Sequence, residues 1–154
     1  MSPAGIAVAA ILAVSVLSKA GGMPVSMLRA MRDLSLPSAL MSPLVAWAHL
    51  AVQASIAVAL AIPPLAQISA VAACGLACLY LVVVVSRRGR LCRCVVDTPT
   101  VIGWPTIIRN VFLVGLTACA ALAWRGAAAI FVAAVLTVGF VALELVERHL
   151  AEPG

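Results

Sequence analysis

Charge is scarce in this chain of 154 residues: Asp, Glu, Lys and Arg together make up 10% of it, and only five residues are acidic. An ordinary soluble domain is about 25% charged and about 45–50% apolar with glycine counted. Here 65% of residues are hydrophobic and the mean hydropathy is +1.21. A single domain of this length would have too few polar side chains to cover its own surface. That shortage excludes a soluble globular protein, a disordered chain and a disulfide-stapled secreted module. Also missing are a phosphate-binding glycine loop, a nucleophile elbow and a haem-attachment motif. Ten Lys+Arg give a net charge of +5. In so apolar a chain a basic excess is read first as a determinant of membrane orientation, not as a nucleic-acid surface.

What is present is a series of long apolar runs. A helix needs about 20 mostly apolar residues to cross the hydrocarbon layer. Five segments are predicted as spans, at about 3–18, 39–62, 65–86, 106–124 and 127–143, making the whole chain one transmembrane domain. Pro63-Pro64 is expected to separate the second from the third, and Arg125-Gly126 the fourth from the fifth. The first segment lacks a positive n-region and its only charge, Lys19, follows the apolar run, so it reads as a retained span and not as a signal peptide. Between the first two spans, Val25, Leu28, Met31 and Leu34 recur at steps of three with Arg29, Arg32 and Asp33 among them. That pattern suits a short interfacial helix capped by Ser26 and closed by Pro37, with a plain loop as the alternative.

Alternation of five spans puts Lys19, Arg29, Arg32, Arg87, Arg88, Arg90, Arg93, Arg109 and Arg148 on one side and Arg125 alone on the other. The positive-inside rule then predicts an exterior N-terminus, with the basic loops and the C-terminus in the cytoplasm, in a multi-pass plasma-membrane protein.

The chemistry concentrates in the basic loop 87–105. Cys92 and Cys94 flank Arg93, with Arg87, Arg88 and Arg90 just before them. Positive charge stabilises a thiolate, the reactive form. Two such thiols can exchange with a partner disulfide, each resolving the mixed disulfide that the other forms. A half zinc site is the competing reading, but complementary ligands are lacking nearby and His149 is distant, so no metal is expected. Cys74, Cys78 and Cys119 fall within spans, where cysteine commonly packs between helices. His49 and Gln53 stand one turn apart on the second span and should face the bundle interior. An interhelical hydrogen bond is their plainer role; a quinone headgroup contact or proton relay is the functional one. No cofactor is otherwise expected. Glu144, Glu147 and Arg148 read as a solvated helix end, and Trp47, Tyr80, Trp104 and Trp124 as interfacial anchors, with a deeper position the alternative for Trp47 and Tyr80.

The segment Arg87-Arg88-Gly89-Arg90-Leu91-Cys92-Arg93-Cys94, followed by Gly103-Trp104-Pro105 and Ile108-Arg109-Asn110, resembles the MauE group of the DoxX-like superfamily. A first span ending near Lys19 and Leu36-Pro37 before the second span agree with it. The resemblance covers roughly residues 4–124 and implies a four-helix transmembrane bundle, to which the fifth span is an addition. It also implies a redox-associated protein that serves, with a thioredoxin-like partner, the maturation of a periplasmic dehydrogenase. Cys92 and Cys94 would be the exchanging pair, with Arg90, Arg93, Arg109 and Asn110 in support. The chain departs from the group's Cys-Gly-Cys-Phe-Gly pattern at Arg93 and at Val95-Val96. Gln53 stands where relatives often carry Glu, which removes a proton-exchanging group. The charge bias places the thiols inside while the implied partner works outside. The alternative function is therefore kept open: a non-catalytic accessory subunit packed against a larger membrane complex.

Overall fold

The computed structural model describes residues 2–22, 25–33, 41–92, 100–122 and 127–151. They form six helices, α1 Pro3–Ala20, α2 Val25–Asp33, α3 Pro43–Ala61, α4 Pro63–Ser86, α5 Trp104–Ala121 and α6 Ala127–Ala151. Two short strands, β1 Leu91–Cys92 and β2 Thr100–Val101, are the departure from an all-helical chain. The helices α1, α3, α4 and α5 are each long and apolar enough to cross a membrane, whereas the apolar stretch of α6, Ile130–Leu145, is shorter. The chain is a multi-pass membrane protein.

Helix starts follow local chemistry. Ser2 and Ser42 cap α1 and α3, their hydroxyl oxygens accepting from the Gly5 and Val45 N–H groups at 3.1 and 3.2 Å, and a proline follows each cap. The first turn of a helix leaves its N–H groups without intrahelical partners, so a residue lacking one is harmless there. The same logic corrects the expected role of Pro63-Pro64. These prolines are not a spacer; they open α4, and Ile62 alone joins it to α3. The amphipathic helix α2 is present, beginning at Val25, one residue ahead of the expected cap Ser26, with Ala30 and Met31 buried and Arg29 and Arg32 exposed. Pro37 and the Arg125-Gly126 break lie outside the described residues.

Long helices consecutive in the chain run antiparallel. The N-terminal half of α1 (Ala4, Val8, Leu12) packs with the C-terminal half of α3 (Ile56, Leu60). Ala70 and Ala73 of α4 meet Leu116 and Ala120 of α5, with Ala133 of α6 closing the same cluster. Small residues let these helices approach closely. Gly139 of α6 lies so near the Phe112 ring that an added Cβ would stand 2.6 Å from it. Large apolar side chains point outward instead, Leu44, Ile68 and Phe131 each more than 70% exposed, as a lipid-facing surface requires.

One end of the bundle is built from this apolar cluster. The other holds most of the buried polar side chains among the described residues, including Ser15, Lys19, Gln53, Thr106, Arg109 and Asn110. At 1.5 Å per residue, most of them sit ~5–15 Å below the helix ends at which α2 and the two strands gather.

Candidate functional site

At that end α4 stops with a turn of arginines. The Arg87 N–H closes on the Val83 and Val84 carbonyls, and Gly89 takes φ +83°, a left-handed conformation that L side chains rarely adopt. The chain then doubles back. Gly89 N–H donates to the Ile102 carbonyl at 3.0 Å and Ile102 N–H to the Arg90 carbonyl at 2.8 Å. The strands continue this antiparallel ladder, Leu91 opposite Val101 and Cys92 opposite Thr100. Ile102, buried against Val84 and Ile107, pins the hairpin to the ends of α4 and α5. Strand β1 also touches α2, and β2 touches α6, so the hairpin spans the polar end of the bundle. The Arg88 guanidinium lies 4.5 Å from the centre of the Trp104 ring, a cation–π contact at the mouth of α5.

Of the expected thiol pair, the backbone of Cys92 is thus fixed in a ladder beside Arg87, Arg88 and Arg90, whereas Arg93 and Cys94 lie outside the described residues. The remaining cysteines are free thiols. Cys119 packs against the apolar cluster as expected, and Cys74 is half-buried. Cys78, expected between helices, is exposed on the outer face of α4. Among the described residues no group of three or more His, Cys, Asp and Glu is placed to hold a metal ion.

Arg109 and Asn110 sit below the hairpin, inside α5. Both are buried: the Asn110 amide donates to the Thr106 carbonyl at 2.8 Å, and Arg109 Nη1 donates to Glu144 Oε2 of α6 at 2.5 Å. Phe140 places its ring 5.9 Å from the same guanidinium. Glu144 is therefore not part of a solvated helix end; its side chain is 13% exposed and neutralises a cation in the bundle. Sequence spacing missed this because the partners are 35 residues apart, and only antiparallel packing of α5 and α6 aligns them.

His49 and Gln53 do face inward together, and their common partner is Tyr80 of α4. Gln53 Nε2 donates to the Tyr80 oxygen at 2.5 Å, and that hydroxyl lies 2.5 Å from His49 Nε2. With the amide donating to the phenol oxygen, the phenolic proton is left for His49 Nε2, which selects the imidazole tautomer protonated on Nδ1. Tyr80 is thus the hub of an interhelical network, which is the deeper of the two positions expected for it. Its signal was present, as the only tyrosine in the chain, in an apolar span opposite His49. Lys19, the cation expected just beyond the first span, is instead buried in the last turn of α1, where it donates to Ser15 Oγ at 3.4 Å.

No curated protein matches the chain, and no solved structure does. A family model does: that of Methylamine utilisation protein MauE matches residues 2–125, from the first helix through the basic hairpin and α5. The match covers about four-fifths of the chain, so this multi-pass membrane protein, with α6 as an extension beyond the matched region, belongs to the MauE family.

Proposed function

We propose that the chain is a membrane thiol-redox protein in which Cys92 and Cys94 exchange disulfides with a thioredoxin-like partner in support of another protein's maturation. The observation that carries this reading is the hairpin: Cys92 belongs to a backbone ladder rooted in an arginine turn at the end of α4, outside the apolar spans. Cations beside a thiol favour its thiolate. In the proposed step the Cys92 thiolate attacks the partner's disulfide, forming a mixed disulfide and expelling one partner thiolate, which takes up a proton. The Cys94 thiolate then attacks Cys92 and releases the second partner thiol. Two electrons pass to the partner, the chain retains a Cys92–Cys94 disulfide, and a dithiol donor restores the pair.

Lys19 and Arg109 are internal, so orientation rests on the exposed or half-exposed Arg29, Arg32, Arg87, Arg88 and Arg90, which all lie at the hairpin end. The positive-inside rule assigns that end to the cytoplasm, where a reduced thiol donor is at hand. The testing experiment replaces Cys92 and Cys94 with Ser and follows the partner's thiols by alkylation and gel shift. The partner is expected to stay oxidised; an unchanged dithiol fraction would overturn the proposal.

A second reading, an accessory subunit in a larger complex, draws on Ala48, Ala51 and Ser55, exposed at helical spacing on one face of α3. Small residues in such a row favour close contact with another helix. A subunit that co-purifies in fixed ratio, and is lost when Ala51 is replaced by Leu, is the expected outcome of that reading; a stable chain without companions contradicts it.

A further inference from the structure

We infer that the arginine turn at the end of α4 is a binding site for the phosphate of an anionic phospholipid in the leaflet that contains the hairpin. The inference concerns lipid recognition and does not depend on the thiol chemistry. Three observations converge. First, Gly89 at φ +83° and its bond to the Ile102 carbonyl hold Arg87, Arg88 and Arg90 in one tight turn. Like charges are gathered there by the backbone in spite of their repulsion. Arg29 and Arg32 are exposed on α2, which touches β1 at the same end. Of the two carboxylates whose side chains are described, Glu144 is engaged by Arg109 within the bundle, and Asp33 on α2 is a single charge.

Second, Arg88 is oriented. Its guanidinium lies 4.5 Å from the centre of the Trp104 ring, and Trp104 is itself 61% exposed at the start of α5. Indole rings favour the headgroup level of a bilayer. An arginine stacked on one presents its planar N–H donors at the depth of the lipid phosphates, to which guanidinium bonds in bidentate fashion. Third, the surface directly below is apolar and outward-facing on both helices. Cys78, Val82 and Val85 form a stripe on α4, and Trp104, Ile108 and Val111 one on α5, each at steps of three or four residues. A soluble phosphate gains nothing from such stripes, whereas the acyl chains of a phospholipid lie along them.

The occupant is therefore a phosphodiester lipid with net negative charge, such as phosphatidylglycerol. A zwitterionic lipid carries its own ammonium and loses most of the attraction. Each basic residue at an anionic membrane surface strengthens binding about fivefold. The test reconstitutes the full chain, with Trp47 and Trp124 replaced by Phe, into phosphatidylcholine vesicles with and without brominated phosphatidylglycerol, and reads quenching of Trp104. Enriched quenching by phosphatidylglycerol over brominated phosphatidylcholine is expected. It should weaken about fivefold in Arg88→Gln and on the order of a hundredfold when Arg87, Arg88 and Arg90 are all Gln. Arg88→Lys, which keeps the charge and loses the planar fork, should fall between wild type and Gln. Arg125→Gln, which removes one charge from the α5–α6 connection, should leave quenching unchanged. Raised salt should release the lipid from wild type, a readout that needs no variant. Competition by soluble glycerol phosphate at matched concentration would overturn the lipid assignment in favour of a free-phosphate site. Equal quenching by both brominated lipids, or no response to Arg88→Gln, would overturn the site itself.

Discussion

Replacing Glu144 with Ala should be among the most damaging single changes in the chain, because it leaves Arg109 charged and buried. The guanidinium side chain is 4% exposed and the carboxylate 13%, so solvent screens the pair little. Attraction at this separation is large in a medium of low dielectric, but it is mostly offset by the cost of taking both ions out of water. What remains visible in a mutant is the asymmetry: removal of one partner of a buried pair costs about 3–5 kcal/mol, whereas replacement of both by apolar side chains of similar volume is often neutral. Phe140, 5.9 Å from the guanidinium, offers Arg109 only a weak substitute. Glu144→Ala is therefore expected to destabilise the bundle by about 3–5 kcal/mol, Arg109→Leu by a comparable amount, and Arg109→Leu with Glu144→Leu by no more than about 1 kcal/mol. Unfolding in mixed micelles of mild detergent and dodecyl sulfate, followed by tryptophan fluorescence, supplies the cycle. Costs that simply add in the double variant would refute the ion pair.

Tyr80→Phe removes the hydroxyl shared by His49 and Gln53 and should cost about 1–2 kcal/mol in the same assay, near the upper range for polar contacts between membrane helices; a cost below a few tenths would contradict the network. Gly139→Ala drives a Cβ to within 2.6 Å of the Phe112 ring and is expected to lose about 1–3 kcal/mol, restored in part by Phe112→Leu. Gly89→Val forces a β-branched residue into φ +83°, and its strain of about 1–3 kcal/mol should appear as faster proteolysis within the hairpin, with the helical bundle intact. With Cys74, Cys78 and Cys119 replaced by Ala and the remaining pair reduced, an impermeant maleimide should label Cys92 and Cys94 in inverted vesicles and not in intact cells; the reverse pattern would place the hairpin outside.

Much of this architecture was legible in the sequence because hydrocarbon leaves the backbone few choices. Four of the five expected spans follow from apolar run length, the fifth appearing as a shorter apolar stretch of α6, and α2 follows from its step-of-three pattern between charges. What was not legible depended on which helices lie side by side. Glu144 looked like a polar helix end since hydropathy counts residues along one helix and takes no account of a partner on another. Tyr80 could be read as interfacial or deeper for the same reason, and its depth follows once α3 and α4 are joined by the single residue Ile62. Pro63-Pro64 was correctly placed at a boundary, but its role there differs, since prolines suit the first turn of a helix as well as they end one. For the candidate site, spacing singled out the Cys-Arg-Cys and its arginines, while the ladder that fixes the Cys92 backbone rests on pairing with Thr100, across residues without a distinctive strand pattern.

The most direct test of the proposed chemistry is capture of its intermediate. In a Cys94→Ser variant the resolving thiol is absent, so a mixed disulfide formed through Cys92 cannot be released. Cells expressing that variant, quenched with acid and alkylated, should yield on a non-reducing gel an adduct that contains this chain joined through Cys92 to a thioredoxin-fold protein. The adduct should vanish on reduction and in the variant lacking both thiols. A Cys92 recovered wholly alkylated, with no adduct under any growth condition that requires the protein, would contradict thiol exchange and leave the hairpin a structural and lipid-binding element.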